Sequence, residues 1–150
     1  MELYEQPLEI ENEHEHLTVD LDLLEKILRQ TIAGEGFTLT YLGILLSDHA
    51  TIHEMNREHL GHDYETDVLS FPLLSPSQVA HRKTVEGEVY VDLDTAFERA
   101  PEFGSTFQEE AFRYVVHGLL HIIGYDDATD EERTHMRRLE DRYLGLPEAD

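Results

Sequence analysis

Cysteine is absent from this 150-residue chain, and so is any long apolar run. Without cysteine the protein can form no disulfide and no metal site with thiolate ligands. No stretch approaches the length of a membrane span, and the acidic first 16 residues lack the apolar core of a signal peptide. We therefore expect a cytoplasmic protein with no membrane partner.

Positive charge is scarce as well. The chain has 11 Lys and Arg residues against 33 Asp and Glu residues, which gives a formal net charge of −22. The acidic excess runs along the whole chain, and such a surface repels nucleic acid at low salt. It resembles the surfaces of proteins from salt-accumulating halophiles, where concentrated ions screen charges beyond a few Å. We favour this halophilic interpretation over a surface for a basic partner protein.

Helical and strand patterns follow one another without a linker or an internal repeat. They predict one domain over residues 1–150 with an α+β fold, in which helices pack on a small mixed sheet of about four strands. Strands are expected around Leu8 and Ile10 and at 37–46, 67–74 and 86–93. Helices are expected to begin near 20, 48, 94, 106 and 129, with Asp94 as one cap, and residues 75–84 to form a polar connection.

Two histidines stand four residues apart in an otherwise apolar helical run. His117 and His121 therefore lie on one face of the helix, about 6 Å apart. Gly124 can end the helix in a left-handed conformation, and the chain then returns Asp127 to the same place. Two imidazoles and one carboxylate leave a tetrahedral ion one open position, as a catalytic zinc requires. We predict one Zn²⁺ per chain, and other divalent ions such as Mn²⁺ or Fe²⁺ are alternatives. Asp126 competes with Asp127 as the acidic ligand. Without a metal, the two histidines would be core residues with satisfied hydrogen bonds.

The spacing also matches the ligand and glycine positions of the zinc endopeptidase pattern H-E-x-x-H-x-x-G-x-x-H, so the metal-bearing helix is expected to be zincin-like. Two positions differ. The glutamate that serves such peptidases as general base is Gly118 here, and the third histidine is Asp127. A metal centre without the peptidase base weighs against proteolysis, and a metallopeptidase-like hydrolase is therefore a rival interpretation only.

Three motifs resemble those of one family, the bacterial YbeY-type endoribonucleases of rRNA maturation. HGLLHIIGYD at 117–126 matches the family signature, TDVLSFP at 66–72 matches an upstream element, and Gly87-Glu88-Val89 is similar to a third. The motifs stand in the expected order between residues 40 and 144. The resemblance implies the same α+β fold and a metal-dependent hydrolase of rRNA precursors. It would act in 16S 3′ end processing and ribosome quality control, with ribosomal components as partners.

The resemblance also indicates which residues assist the metal. Thr66, Asp67 and Ser70 lie in the upstream element, and Glu110 matches a glutamate seven residues before the first ligand. We predict catalytic roles for all four. The alternatives are capping of the strand end for Asp67 and Ser70, and an exposed acid favoured by the helix dipole for Glu110.

One position departs from the family pattern. The family pattern has an arginine that is expected to contact substrate phosphate, and this chain has Leu60 at that position. The neighbouring Arg57 and His62 could replace the arginine. Leucine gives phosphate no hydrogen bond, so a metal-retaining RNA- or ribosome-binding module without catalysis is a second rival. An iron oxygenase with the same ligand set is a third, which the absence of a β-barrel pattern disfavours.

Overall fold

The computed structural model describes residues 6–60 and 67–147, without the side chains of His59 and Leu60. Thr66 and His62 lie outside the described residues. No helix within them is long and apolar enough to cross a bilayer. The elements are β1 (Leu8–Asn12), α1 (Leu21–Gly34), β2 (Thr38–Ser47), α2 (His49–Leu60), β3 (Val68–Pro72), α3 (Pro76–Arg82), β4 (Thr84–Asp92), α4 (Leu93–Arg99), a 3-10 turn (Ala100–Phe103), α5 (Phe107–Ile123) and α6 (Asp130–Leu144).

The four strands form one mixed sheet in the order β1-β2-β4-β3. β1 pairs with β2 and β2 with β4 in parallel, and β3 runs antiparallel to β4. The run of apolar residues in β2 is mostly buried because this strand lies inside the sheet, whereas β1 is an edge strand, as its short alternating pattern predicted. The predicted α+β fold with four strands is confirmed.

The long helix α5 packs on β3 and β4, and α1, α4 and α6 pack against it in turn. Its apolar face carries the periodicity of an amphipathic helix and is almost completely buried. Each Val or Leu removed from water on this face contributes about 1.5–3 kcal/mol before the entropy cost of folding is counted. The face that packs on the core comprises Ala111, Val115, Val116, Leu119, Leu120 and Ile122.

Gly118 allows α5 to lie unusually close to the sheet. A β-carbon at this position would stand 2.5 Å from Val89 Cγ1 and 3.1 Å from Ser70 Oγ. The Ser70 hydroxyl uses this proximity to donate a 3.1 Å hydrogen bond to the Gly118 carbonyl. A larger residue at 118 would therefore force α5 away from β3 and β4.

Residues 76–82 form a helix, so the prediction of a polar connection at 75–84 was wrong in its centre. Ser75 accepts a hydrogen bond from the backbone N–H of Gln78, whose side chain accepts one from the Ser75 N–H, and Pro76 occupies the first turn. Ser-Pro-x-Gln is thus a capping box with proline at the helix start, a signal that the turn-forming residues concealed.

The cap of α4 is Asp92 and not Asp94. Asp92 Oδ1 accepts a 3.0 Å hydrogen bond from the Thr95 N–H. Asp94, in the first turn, accepts a bond from the His49 N–H and lies 2.8 Å from His14 Nε2. The histidine-containing segment at 14–16 is therefore anchored to α4 through His14.

Candidate metal centre

The helix that carries both histidines has well-defined ends. Thr106 accepts a hydrogen bond from the Glu109 N–H, and the Glu109 side chain reaches back to the Thr106 N–H, which together close a capping box. At the other end Gly124 has a φ of 126°, where a residue with a side chain would be strained, and its N–H bonds to carbonyls of the last turn. The chain therefore leaves α5 directly after the second histidine and turns back along it.

His117, His121 and Asp127 come together at this turn. The Nε2 atoms of the two histidines are 3.0 Å apart, and Asp127 Oδ2 lies 3.3 Å from the first and 3.4 Å from the second. Ligand atoms about 2.0–2.1 Å from a tetrahedral zinc lie roughly 3.3 Å from one another, so the spacing of the three donor atoms fits a shared ion. All three side chains are only partly buried, which leaves room for a further ligand.

Asp126, the competing acid, does not join this group. It lines a separate cleft of about 500 Å³, together with Phe37, Lys83, His121 and Tyr125. The Asp127 side chain is thus the acidic member of the described cluster. The assignment of Asp127 as a ligand is supported by this geometry and remains a prediction.

The loop that holds Asp127 is fixed at two points. The Tyr125 hydroxyl donates a 2.5 Å hydrogen bond to Glu35, which also accepts from Tyr143. Burial, together with this carboxylate, raises the pKa of Tyr125 to about 12, so the hydroxyl stays a donor at neutral pH. Arg133 donates to the carbonyl oxygen of Asp127 and to that of the next residue, at 3.2 and 3.1 Å.

A buried chain of charges on α5 and α6 supports His117. Glu140 Oε2 lies 2.8 Å from His117 Nδ1, and its other oxygen accepts a 3.1 Å bond from Arg113. Arg113 also donates to Asp141 at 2.7 Å. A carboxylate at Nδ1 places the proton there and leaves the Nε2 lone pair directed at the cluster, the arrangement typical of metal-binding histidines.

Glu140 also sets the protonation of His117. Burial lowers the pKa of His117, but the hydrogen bond and charge of Glu140, with the charge of Asp127, outweigh burial and raise it above the ordinary value. Sequence reasoning missed Glu140 and Asp141, because α6 alternates acids and arginines like a solvated helix. It also missed Arg113, which lies on α5. The available signal was the i,i+4 spacing of Glu140 from the apolar Met136, which places both on the buried face.

Glu110 is buried, with 3% of its surface exposed, so the interpretation as an exposed first-turn acid is wrong. Its Oε2 atom has no hydrogen-bond partner among the described residues. Burial raises the pKa of Glu110, and the nearby charges of Arg113 and Arg137 oppose that rise without cancelling it. The carboxyl group therefore holds its proton more tightly than an ordinary glutamate does, which suits a group that exchanges protons.

Glu110 and Asp67 both line a cleft of about 270 Å³ next to His117 and Asp127. Ser70 is not among the cleft residues, since its hydroxyl binds the α5 backbone. The structure thus brings two of the four predicted catalytic residues to the cluster, and Thr66 lies outside the described residues. The cleft is lined by Asp67, Val68, Arg99, Phe103, Glu110, Arg113, Tyr114, His117, Asp127, Arg133, Met136, Arg137 and Glu140.

The peptidase base has no place in this architecture. The β-carbon direction at Gly118 leads into Val89 of β4, so a glutamate there would collide with the sheet. The close contact of α5 with β4 thus explains the glycine found where zinc endopeptidases carry their base.

Known proteins resemble the chain over nearly its whole length. The family model described as "Endoribonuclease YbeY" matches residues 9–146. A protein named endoribonuclease YbeY from Salinibacter ruber is 49% identical over 144 residues, which cover 94% of this chain and 92% of that protein. A protein of the same name from Chlorobium phaeobacteroides is 40% identical over 81% of this chain and 83% of its own length.

Structure comparison gives a similar result. The solution structure of a protein from Thermotoga maritima matches with a TM-score of 0.64 and 31% sequence identity, and it covers 91% of this chain and 86% of that one.

Proposed function

This chain belongs to the YbeY endoribonuclease family, and from that premise we propose that it is a single-metal endoribonuclease that cleaves precursor ribosomal RNA. Its task would be processing at the 3′ end of 16S rRNA and ribosome quality control, in contact with ribosomal components. The observation that carries the proposal is the cluster of His117, His121 and Asp127 at one end of the cleft.

The donor set favours Zn²⁺ as the ion. Two imidazole nitrogens and one carboxylate oxygen form the usual three-ligand set of catalytic zinc sites, although Mn²⁺ and Fe²⁺ accept the same donors. A divalent ion held there would acidify water and polarise a phosphoryl oxygen, both of which assist cleavage of a phosphodiester. His117, His121 and Asp127 would hold it, and Glu140 would orient His117.

Glu110 is the proposed proton acceptor. Hydrolysis adds water across a P–O bond, so the attacking oxygen must lose a proton and the leaving oxygen must gain one. Glu110 lines the cleft beside the cluster, and its buried Oε2 has no hydrogen-bond partner among the described residues. Burial raises its pKa, which makes the carboxylate a stronger base than an ordinary glutamate. Asp67, on the same wall, would help to position the substrate.

The proposal is tested by elemental analysis of the purified protein, beside cleavage of a 16S precursor RNA at molar KCl. We expect about one zinc per chain, activity that is lost with a chelator, and activity that returns with the ion. Asp127→Asn should strip the metal and abolish cleavage, and the matched control Asp126→Asn should do neither.

Three results would overturn parts of this account. Loss of metal in Asp126→Asn but not in Asp127→Asn would refute the ligand assignment. Metal-dependent cleavage of an unstructured polypeptide in place of RNA would show a peptidase. Bound metal and bound RNA without turnover would show a binding module.

A further inference from the structure

Four of the eleven basic residues of the chain line the cleft beside the metal cluster. These four are Arg99, Arg113, Arg133 and Arg137. Four acids also line the cleft, namely Asp67, Glu110, Asp127 and Glu140. The formal charge of the cleft is therefore zero before any divalent ion is bound, on a molecule whose net charge is −22. A polyanion that approaches this cleft meets a wall without net charge, although the molecule as a whole is strongly acidic.

Two of the four arginines are committed to other contacts. Arg113 is buried and bound to Glu140 and Asp141. Arg133 is paired with Asp130 and donates to the backbone of the Asp127 loop. These two therefore build the walls of the cleft and are not free to bind a ligand.

Arg99 and Arg137 differ from them. Both are exposed, and within residues 6–60 and 67–147 neither has a carboxylate at ion-pair distance. Acids outnumber bases threefold in this chain, so a surface arginine without an acidic partner needs a reason. No residue in the described part of the chain occupies the hydrogen-bond donors of their guanidinium groups, so these donors can meet a ligand in the cleft.

The two arginines come from different helices, Arg99 from the end of α4 and Arg137 from the middle of α6, and both helices pack against α5. Arg137 stands close enough to Glu110 to act on its pKa, and Arg99 acts in the same way on Tyr114. Glu110 and Tyr114 follow one another on the α5 face that also carries His117. Both positive charges thus lie along the path that leads to the metal cluster.

We propose that Arg99 and Arg137 form a phosphate subsite that binds the RNA backbone beside the scissile phosphodiester. The planar guanidinium fork matches two phosphate oxygens, and phosphate contacts fix the register of a nucleic acid without reading its sequence. The inference rests on the proposed function, because RNA is the polyanion that the metal site would cleave. It assigns substrate positioning to α4 and α6, outside the motifs through which the chain resembles its family.

The test uses the metal-loaded full chain with Arg99→Gln, Arg137→Gln and the double variant. Arg138→Gln is the matched control, since Arg138 is an exposed arginine on the same helix that does not line the cleft. A labelled single-stranded RNA is titrated by fluorescence anisotropy at several KCl concentrations and its integrity is checked on a gel. KM and kcat are measured on the same RNA.

Each subsite substitution should weaken RNA binding about three- to tenfold, to a similar extent for different RNA sequences. The slope of log Kd against log [KCl] should decrease by about 0.7 for each arginine removed, whatever the sign of that slope in the unmodified protein. KM should rise more than kcat falls, Arg137→Lys should recover part of the loss, and Arg138→Gln should behave like the unmodified protein.

The outcomes separate this inference from the function on which it rests. If the unmodified protein cleaves RNA with its metal, and the double variant keeps its KM and salt slope, the subsite is wrong and the endoribonuclease stands. An effect of Arg138→Gln as large as that of Arg137→Gln would also refute the subsite, because net charge alone would then explain it. If the unmodified protein neither binds nor cleaves RNA, both are wrong.

Discussion

Glu140 illustrates how one buried residue can govern a metal site that it does not touch. It holds the Nδ1 side of His117 and is held in turn by Arg113. Replacement by glutamine keeps the shape of the side chain but removes the charge that orients and polarises the imidazole. Glu140 is thus a positioning residue whose effect should appear in metal affinity before it appears in structure.

Glu140→Gln should weaken zinc binding about 10- to 100-fold, the usual loss when a partner of a ligating histidine is removed. Competition with a zinc-sensitive dye measures the affinity. Glu131→Gln removes the same charge from an exposed position on α6 and should leave affinity unchanged. Equal zinc affinity in Glu140→Gln and the unmodified protein would mean that the contact with His117 does not support the site.

Glu110 should give the stability of the protein a specific dependence on pH. Its pKa is raised in the folded state, so the folded protein binds the proton more tightly than the unfolded chain does. Stability contributed by the protonated form is present at low pH and is lost as pH rises from about 4.5, the unfolded value, through the raised folded pKa.

Glu110→Gln removes this loss. We compare melting temperatures in metal-free protein. The melting temperature of the variant minus that of the unmodified chain should increase as pH rises from about 4.5 towards neutrality. A difference that stays constant over this range would show that Glu110 titrates normally, and its proposed role in proton transfer would lose its basis.

At the scale of elements, the distance between α5 and the sheet is set by one glycine. A methyl group at residue 118 meets Val89 in the middle of β4. Gly118→Ala should therefore lower the free energy of unfolding by about 1–3 kcal/mol, as overpacked cores do, although alanine favours helix. Urea denaturation gives the value, with unchanged slope as the control for two-state unfolding.

Val89→Ala opens space at the same contact. In the Val89→Ala background, Gly118→Ala should lower the free energy of unfolding clearly less than it does in the unmodified protein. A double-mutant cycle would show this difference as coupling between the two positions. Additive effects of the two substitutions would place the cause of the loss elsewhere, for instance in the hydrogen bond from Ser70.

Elements with strong periodicity could be predicted from the sequence, since a single chemical pattern determines them. The apolar stripe of α5, the spacing of its histidines and the buried strand β2 are of this kind. The helix α3 could not be recognised among turn-forming residues, and the cap of α4 could not be assigned because Asp92 and Asp94 are equally suitable in sequence.

The supporting residues of the site depended on tertiary packing. Residue type alone does not distinguish Glu140, which is buried against α5, from the exposed acids at the start of α6. The same is true of Arg99 and Arg137, which face the cleft only because α4 and α6 both pack on α5. The clustering of His117, His121 and Asp127 was predictable, because they lie on one helix and its following turn, whereas contacts between helices were not.

At the scale of the whole molecule, the charge of −22 should make the protein depend on salt. Raising the KCl concentration from about 0.1 M to 1 M shortens the screening length from about 10 Å to about 3 Å. The melting temperature should therefore rise across this series at constant pH, because repulsion between exposed acids is screened. A steady fall with KCl would contradict the halophilic interpretation and favour a basic partner protein.

RNA cleavage should hold or increase over the same range. Repulsion between the acidic surface and RNA acts over distances longer than the screening length and is lost first, whereas contacts at hydrogen-bond distance in the cleft are weakened less. A basic nuclease measured in parallel should lose activity, and an equal loss in this protein would show that local attraction to phosphate dominates.

The predicted metal cluster also differs from the parallel strand pairs of the sheet in how far apart its parts lie along the chain. His117, His121, Asp127 and the residues that hold His117 all fall within 113–141, whereas the sheet joins Leu8 to Leu42 and Leu42 to Gly87. Closing a short loop costs less entropy than closing a long one, and local contacts form faster. The α5–α6 hairpin can therefore assemble around an ion before the parallel strands have met. Zinc would then accelerate folding itself, by stabilising the transition state, and would not act only by slowing the unfolding of the finished protein.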